Sequence, residues 1–167
     1  MSEPTKETLE RMIAGRSSWD EILSVMRADK EPDRFRKYRD ALQERVPWPE
    51  RILLPLGDHL YIVQRTDGAR VVKCDCGHEF ADYRTNWKLE ALVRVRNTEA
   101  AISEIYPRVM GCDPDWMELR EYFCPGCLTQ LDVEAVPPGY PVVFNFLPDL
   151  DAFYAEWLGE RLPPVDA

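Results

Sequence analysis

Apolar positions recur three and four residues apart in the first part of the chain and every second residue further on, and the change of spacing falls near residue 50. Three short helices in series account for the first part. Leu9, Met12 and Ile13 form one stripe, opened at Pro4 or Thr8 and closed at Gly15, where a glycine suits the left-handed cap. Ser18 followed by Glu21 reads as a capping box, with Trp19, Ile22, Leu23 and Met26 behind it at helical spacing. A third helix takes Pro32 in its first turn and buries Phe35, Tyr38, Leu42 and Val46 before Pro47-Trp48-Pro49 stops it. Helices this short do not stand alone in water. Each must dock its stripe, either on the region that follows or as an arm over a partner subunit.

From Arg51 the pattern is that of strands. Leu60–Val63 and Ala69–Val72 flank Thr66-Asp67-Gly68, and Asp-Gly between β-type runs signals a hairpin because the turn needs positive φ. The second strand of that hairpin runs into Cys74. A loop rich in aromatics (Phe80, Tyr83, Trp87) leads to a strand at Leu92–Val95, and Thr98 caps a short helix that passes Ile102 and Ile105. A second hairpin follows, with Met117–Phe123 leading in, Cys124-Pro125-Gly126-Cys127 as its turn and Leu128–Val136 leading out. Pro137-Pro138-Gly139 ends it. Asp149 then caps a last helix carrying Phe153, Tyr154, Trp157 and Leu158.

The cysteines carry the candidate chemistry. A metal knuckle needs two thiolates to converge from one tight turn, and in Cys124-Pro125-Gly126-Cys127 the proline presets the turn while the glycine lets backbone amides approach the sulfurs. Cys74-Asp75-Cys76-Gly77-His78 is one residue shorter between its sulfurs. Cys74, Cys76, Cys124 and Cys127 are the predicted metal ligands. His78 could replace Cys74 or Cys76, since three thiolates and an imidazole also satisfy tetrahedral zinc. Four thiolates leave no position for water, so the predicted ion is structural, and zinc is preferred to iron on frequency of use. Forty-seven residues separate Cys76 from Cys124, more than a minimal ribbon needs, so the strand and helix between them form an insertion. A redox pair would open a helix after its strand, and here strand-like sequence follows instead.

The fold class that results is α+β: a small antiparallel zinc-ribbon-like β region with an inserted helix, an N-terminal arm of short helices and a C-terminal helix. The domain division is a helical arm over residues 1–49 and a zinc-binding β domain with the C-terminal helix over residues 50–167.

Composition narrows the function classes. At 167 residues and 45% hydrophobic content the chain can build one core. No run is long and apolar enough for a membrane span, the start of the chain is too polar for a signal peptide, and five cysteines in odd number do not suggest a disulfide framework, so the expected location is the cytoplasm. The net charge of −9 is concentrated after residue 50, where the cysteines lie, which argues against nucleic acid as a partner. Cys112 has no partner spacing and reads as an inert buried thiol, and His59 stands without a nucleophile. No nucleotide loop or nucleophile elbow occurs, so no catalytic residue is assigned. Five tryptophans and fourteen prolines suit a chain that partly fills its own core and partly lies along another protein.

The order of elements, with Cys74-Asp75-Cys76-Gly77-His78-Glu79-Phe80, Asp82-Tyr83-Arg84-Thr85-Asn86-Trp87-Lys88 and Tyr122-Phe123-Cys124-Pro125-Gly126-Cys127, resembles the acetone carboxylase gamma subunit family over essentially the whole chain. It is similar, more loosely and mainly around the knuckles, to the small subunit of acetophenone carboxylase. The resemblance implies a ligase that forms a carbon–carbon bond, taking acetone, bicarbonate and ATP to acetoacetate in a hetero-hexamer of two alpha, two beta and two gamma chains. It further implies that the nucleotide sites and Mn2+ belong to the larger subunits and that the gamma chain carries Zn2+ without being catalytic. Two other functions fit the residues alone. A free-standing zinc-ribbon adaptor would show a peptide-binding face and lack large partners, and a metal-dependent hydrolase would need an open coordination position.

Overall fold

The computed structural model describes residues 4–29 and 31–163. Two antiparallel sheets and several short helices make an α+β fold. By contact the chain divides into two compact units, one of residues 1–55, 62–70 and 148–167, the other of residues 56–61 and 71–147. The first unit thus joins the N-terminal helices to the C-terminal segment.

In the first unit, α1 (Lys6–Ile13) is capped by Thr5, whose side chain accepts from the Thr8 N–H, and not by Pro4 or Thr8. Gly15 follows with φ 65°, the conformation that glycine adopts without a Cβ clash. The capping box of Ser18 and Glu21 opens α2 (Trp19–Arg27) as predicted, yet α2 buries no residue, and Trp19 is 66% exposed. Pro32 lies outside α3 (Arg34–Gln43), which buries Ala41 and Leu42. The C-terminal segment packs on α3: the Phe35 and Phe153 rings meet edge to face at 5.0 Å, and Arg36 pairs with Glu160 at 2.7 Å and donates to the Leu158 carbonyl. Asp149 caps α5 (Leu150–Ala152), which continues as a wider π turn over Phe153–Trp157.

The four-stranded sheet has the order β1 (Arg51–Gly57), β2 (Leu60–Gln64), β3 (Arg70–Cys74), β4 (Glu79–Asp82). Its β2–β3 hairpin turns at Gly68, φ 85°, where Asp-Gly placed it. Two strands are additions to the sequence reading. β1 contains Pro55, which argues against a central strand, but β1 lies at the sheet edge, where proline is tolerated. β4 is four residues at the opposite edge, within what read as an aromatic loop; it pairs with β3 through Val71 opposite Asp82 and Lys73 opposite Glu79. Lys73 and Glu79 form an ion pair at 3.2 Å.

The three-stranded sheet has the order β5 (Leu92–Arg96), β6 (Glu118–Phe123), β7 (Gln130–Val136), and belongs to the second unit. Thr98 caps α4 (Glu99–Ser103), which buries Ile102. Between Trp87 and Leu89 the chain makes a single 3-10 turn capped by the Asn86 side chain. The second unit's core gathers Leu60, Val72, Cys74, Phe80 and Cys124, with Tyr83, Trp87 and Leu131 packed against it.

Candidate metal centre

Cys74 ends β3, and a tight turn brings Cys76 back beside it. The Gly77 N–H donates to the Cys74 carbonyl at 2.9 Å, the Cys74 N–H to the His78 carbonyl at 2.9 Å, and Gly77 has φ 94°. Only a residue without Cβ takes that angle at low cost, which accounts for the glycine directly after the second sulfur. Cys124 follows β6 and opens the second turn. Its N–H donates to the Thr129 carbonyl, the Leu128 N–H returns to the Cys124 carbonyl at 2.9 Å, and Leu128 lies at φ 61°. This left-handed residue closes the turn, so β7 starts at Gln130 and not at Leu128 as the sequence suggested. Within the turn the Gly126 N–H donates to Cys124 Sγ at 3.3 Å, the amide-to-sulfur approach predicted for this knuckle.

The two turns meet. The sulfurs of Cys74, Cys76, Cys124 and Cys127 all lie within 4.8 Å of one another. Cys74 and Cys127 are 3.8 Å apart, and Cys76 and Cys124 are 3.7 Å apart. A tetrahedral ion with bonds of about 2.3 Å to sulfur separates its ligands by roughly 3.8 Å, whereas a disulfide would need about 2.05 Å. The donor set and its spacing therefore fit a thiophilic ion such as zinc. His78 is not a member of the convergent group; its ring packs edge to face on Phe80 at 5.0 Å.

The four thiols are not equivalent. Cys74 and Cys124 are buried in the core, and Cys76 and Cys127 face outward. Burial pushes the Cys74 thiol far above its ordinary value and Cys76 upward as well. The Thr129 hydroxyl, 3.2 Å from the sulfur, holds Cys127 down to about 7. Coordination removes the proton from every thiol, so an ion would offset the unfavourable burial of the inner pair.

Other groups brace the site. His59 Nδ1 lies 2.5 Å from Asp75 Oδ2, and the Asp75 N–H donates to the His59 carbonyl at 3.1 Å, tying the start of β2 to the first knuckle. Buried Lys88 pairs with Asp132 at 2.6 Å and with Glu134, whose other oxygen accepts from the Tyr122 hydroxyl at 2.8 Å. Sequence reading missed this network. Asp132 and Glu134 alternate along β7 as residues on one face do, but nothing in the pattern pairs them with a lysine 44 and 46 positions earlier. Cys112 is half-buried, with its thiol 3.7 Å from the Met117 carbonyl, and is not one of the four converging sulfurs.

Residues 46–158, which contain both knuckles, match the family model described as acetone carboxylase gamma subunit. The chain belongs to the acetone carboxylase gamma subunit family. It is 46% identical over 160 residues to the acetone carboxylase gamma subunit of Xanthobacter autotrophicus, with 95% of each chain covered. It is 27% identical over 116 residues to the acetophenone carboxylase beta subunit of Aromatoleum aromaticum, covering 68% of this chain and 82% of that one. As a member of the gamma subunit family it is one chain of a multi-subunit carboxylase. Among the described residues no helix is long and apolar enough to cross a membrane.

Proposed function

We propose that this chain is the zinc-binding, non-catalytic small subunit of an ATP-dependent acetone carboxylase, whose complex converts acetone and bicarbonate to acetoacetate in ketone metabolism. The observation that carries this reading is the convergence of four sulfurs, from turns far apart in sequence, in a member of the gamma subunit family. Cys74, Cys76, Cys124 and Cys127 would hold the ion. When bound, zinc supplies a crosslink between the two knuckles, and with sulfur in all four positions it offers no place for a substrate oxygen or a water. The chain's own residues then act as supports: Gly77 and Gly126 shape the turns, His59 and Asp75 hold the first knuckle, and Lys88 fixes β7 beside the second. ATP and Mn2+ belong in this reading to the larger alpha and beta subunits, in an assembly of two of each chain located in the cytoplasm.

Purification of the native complex with subunit stoichiometry and metal analysis tests the proposal. Three kinds of chain in equal numbers, with one zinc per copy of this one, are the expected result. A chain that runs as a well-behaved monomer with no large partners would overturn it and favour a free-standing zinc-ribbon adaptor.

A further inference from the structure

The segment between α4 and β6, residues 104–117, carries an unusual pairing of order and exposure. It is held by turns: the Met110 and Gly111 N–H groups donate to the Pro107 carbonyl at 2.7 and 3.1 Å, and the Trp116 and Met117 N–H groups to the Asp113 carbonyl at 3.0 Å each. The Asp115 N–H donates to Asp113 Oδ1 at 3.0 Å, and the Cys112 thiol rests on the Met117 carbonyl. Gly111 lies so close to buried Ile102 that a Cβ there would stand 2.8 Å from its Cγ2. The loop is therefore pinned to α4 at one glycine and closed on itself elsewhere. Yet Val109 is 94% exposed, Trp116 76% and Met110 71%.

An apolar side chain that projects from a turn-held loop belongs to a backbone that has already given up its freedom, yet it gains no burial within its own chain. The same arrangement lowers the entropy cost of docking, and Trp held near the centre of a contact is the residue type that most often dominates binding. Charge narrows the occupant. Asp113 and Asp115, both exposed, directly precede Trp116, and neither has a cationic partner among the described residues; Arg108, the one cation of the segment, is paired with Glu99 at 2.6 Å. Burying Trp116 in a partner brings these two carboxylates to the rim of the contact, where unpaired acids favour Lys or Arg opposite.

Resting on the reading of the chain as a carboxylase subunit, we propose that residues 109–116 form the anchor by which it docks on a larger subunit. Val109, Met110 and Trp116 fill an apolar pocket in that subunit, and Asp113 and Asp115 meet a cationic rim. The Asp113 carboxylate is also committed to the turn, so Asp115 is the residue through which the rim can be probed without disturbing the loop.

The test is affinity purification of the tagged full chain, co-expressed with the large subunits, as the parent, Trp116→Ala and Asp115→Lys. Retention of the large subunits should fall roughly tenfold or more for Trp116→Ala. For Asp115→Lys it should fall at low salt and lose its dependence on ionic strength. Metal content and the thermal midpoint of each variant are measured alongside, and both should match the parent because the substituted side chains are exposed. If the parent retains the large subunits and both variants retain them equally, the anchor is wrong while the subunit reading stands. If the parent retains none, the subunit reading fails first. If Trp116→Ala instead abolishes self-association of the isolated chain, the face binds a second copy and the proposal is overturned.

Discussion

Gly126 of the second knuckle lies directly against His78 of the first: a Cβ added at Gly126 would stand 2.9 Å from the His78 Cβ and 3.3 Å from Cys76 Sγ. Glycine at this position is thus a condition for the two turns to meet, in addition to its part within its own turn.

Gly126→Ala must therefore push the knuckles apart or strain them. The expected cost is about 1–3 kcal/mol, with weaker metal retention, measured by urea unfolding and by competition with a chelator. Gly57→Ala, with nothing within 4 Å of the added atom, is the comparison and should change stability by less than about 0.5 kcal/mol. Equal stability of both variants would contradict the packing described.

Lys88 gives a pH signature. Burial alone would push its ammonium down, but Asp132 and Glu134 outweigh that and raise it above the ordinary 10.5. Burial would likewise push Glu134 up, and the hydrogen bonds from Lys88 and Tyr122 hold it below 4.5. A depressed carboxyl contributes stability above its unfolded value and loses it as pH falls through the folded one. A raised lysine contributes below its unfolded value and loses it as pH rises through the folded one. The triad is accordingly worth most between roughly pH 5 and 10. Lys88→Met should cost about 2 kcal/mol at pH 7, because it leaves two partly buried carboxylates without their cation, and the deficit should narrow as pH falls below 4.5 and Glu134 protonates. The difference in urea midpoint between parent and variant, both stripped of metal beforehand, is the quantity to follow. A deficit that stays constant across that range would contradict the assignment.

Tyr154 reports on the first unit. Its ring is fully buried and its hydroxyl donates to the Leu53 carbonyl at 2.9 Å, linking the π turn to β1. Tyr154→Phe should cost about 1 kcal/mol in chemical unfolding, through loss of the bond and of the carbonyl's partner. Trp157→Ala, three positions on and 77% exposed, should leave the isolated chain within about 0.5 kcal/mol of the parent.

Much of this was readable from local chemistry. Ser18 with Glu21, Asp67-Gly68, Thr98 and Asp149 act through neighbours two or three residues away, and each does in the structure what its residue type predicts. The cysteine turns were legible for the same reason: Gly77 marks a left-handed backbone position that few other residues tolerate, whereas the need for Gly126 comes from the facing knuckle and shows only in the fold. What escaped depends on position in the fold. Pro55 is acceptable only because β1 is an edge strand, and the aromatic run at Phe80 is a strand only because β3 offers it an edge. The partners of Lys88 come from β7, and no periodicity within either segment could name them. Helix starts were misplaced by one to three residues because neighbouring positions, Thr5 and Thr8 or Pro32 and Asp33, satisfy similar rules.

The most direct test is X-ray absorption at the zinc edge on the purified complex, with Cys124→Ser and Cys112→Ser in parallel. One zinc per copy of this chain, four sulfur neighbours at about 2.3 Å, loss of the metal in Cys124→Ser and its retention in Cys112→Ser are predicted. Oxygen or nitrogen among the metal's neighbours, or a complex that keeps its full zinc after Cys124→Ser, would contradict the account.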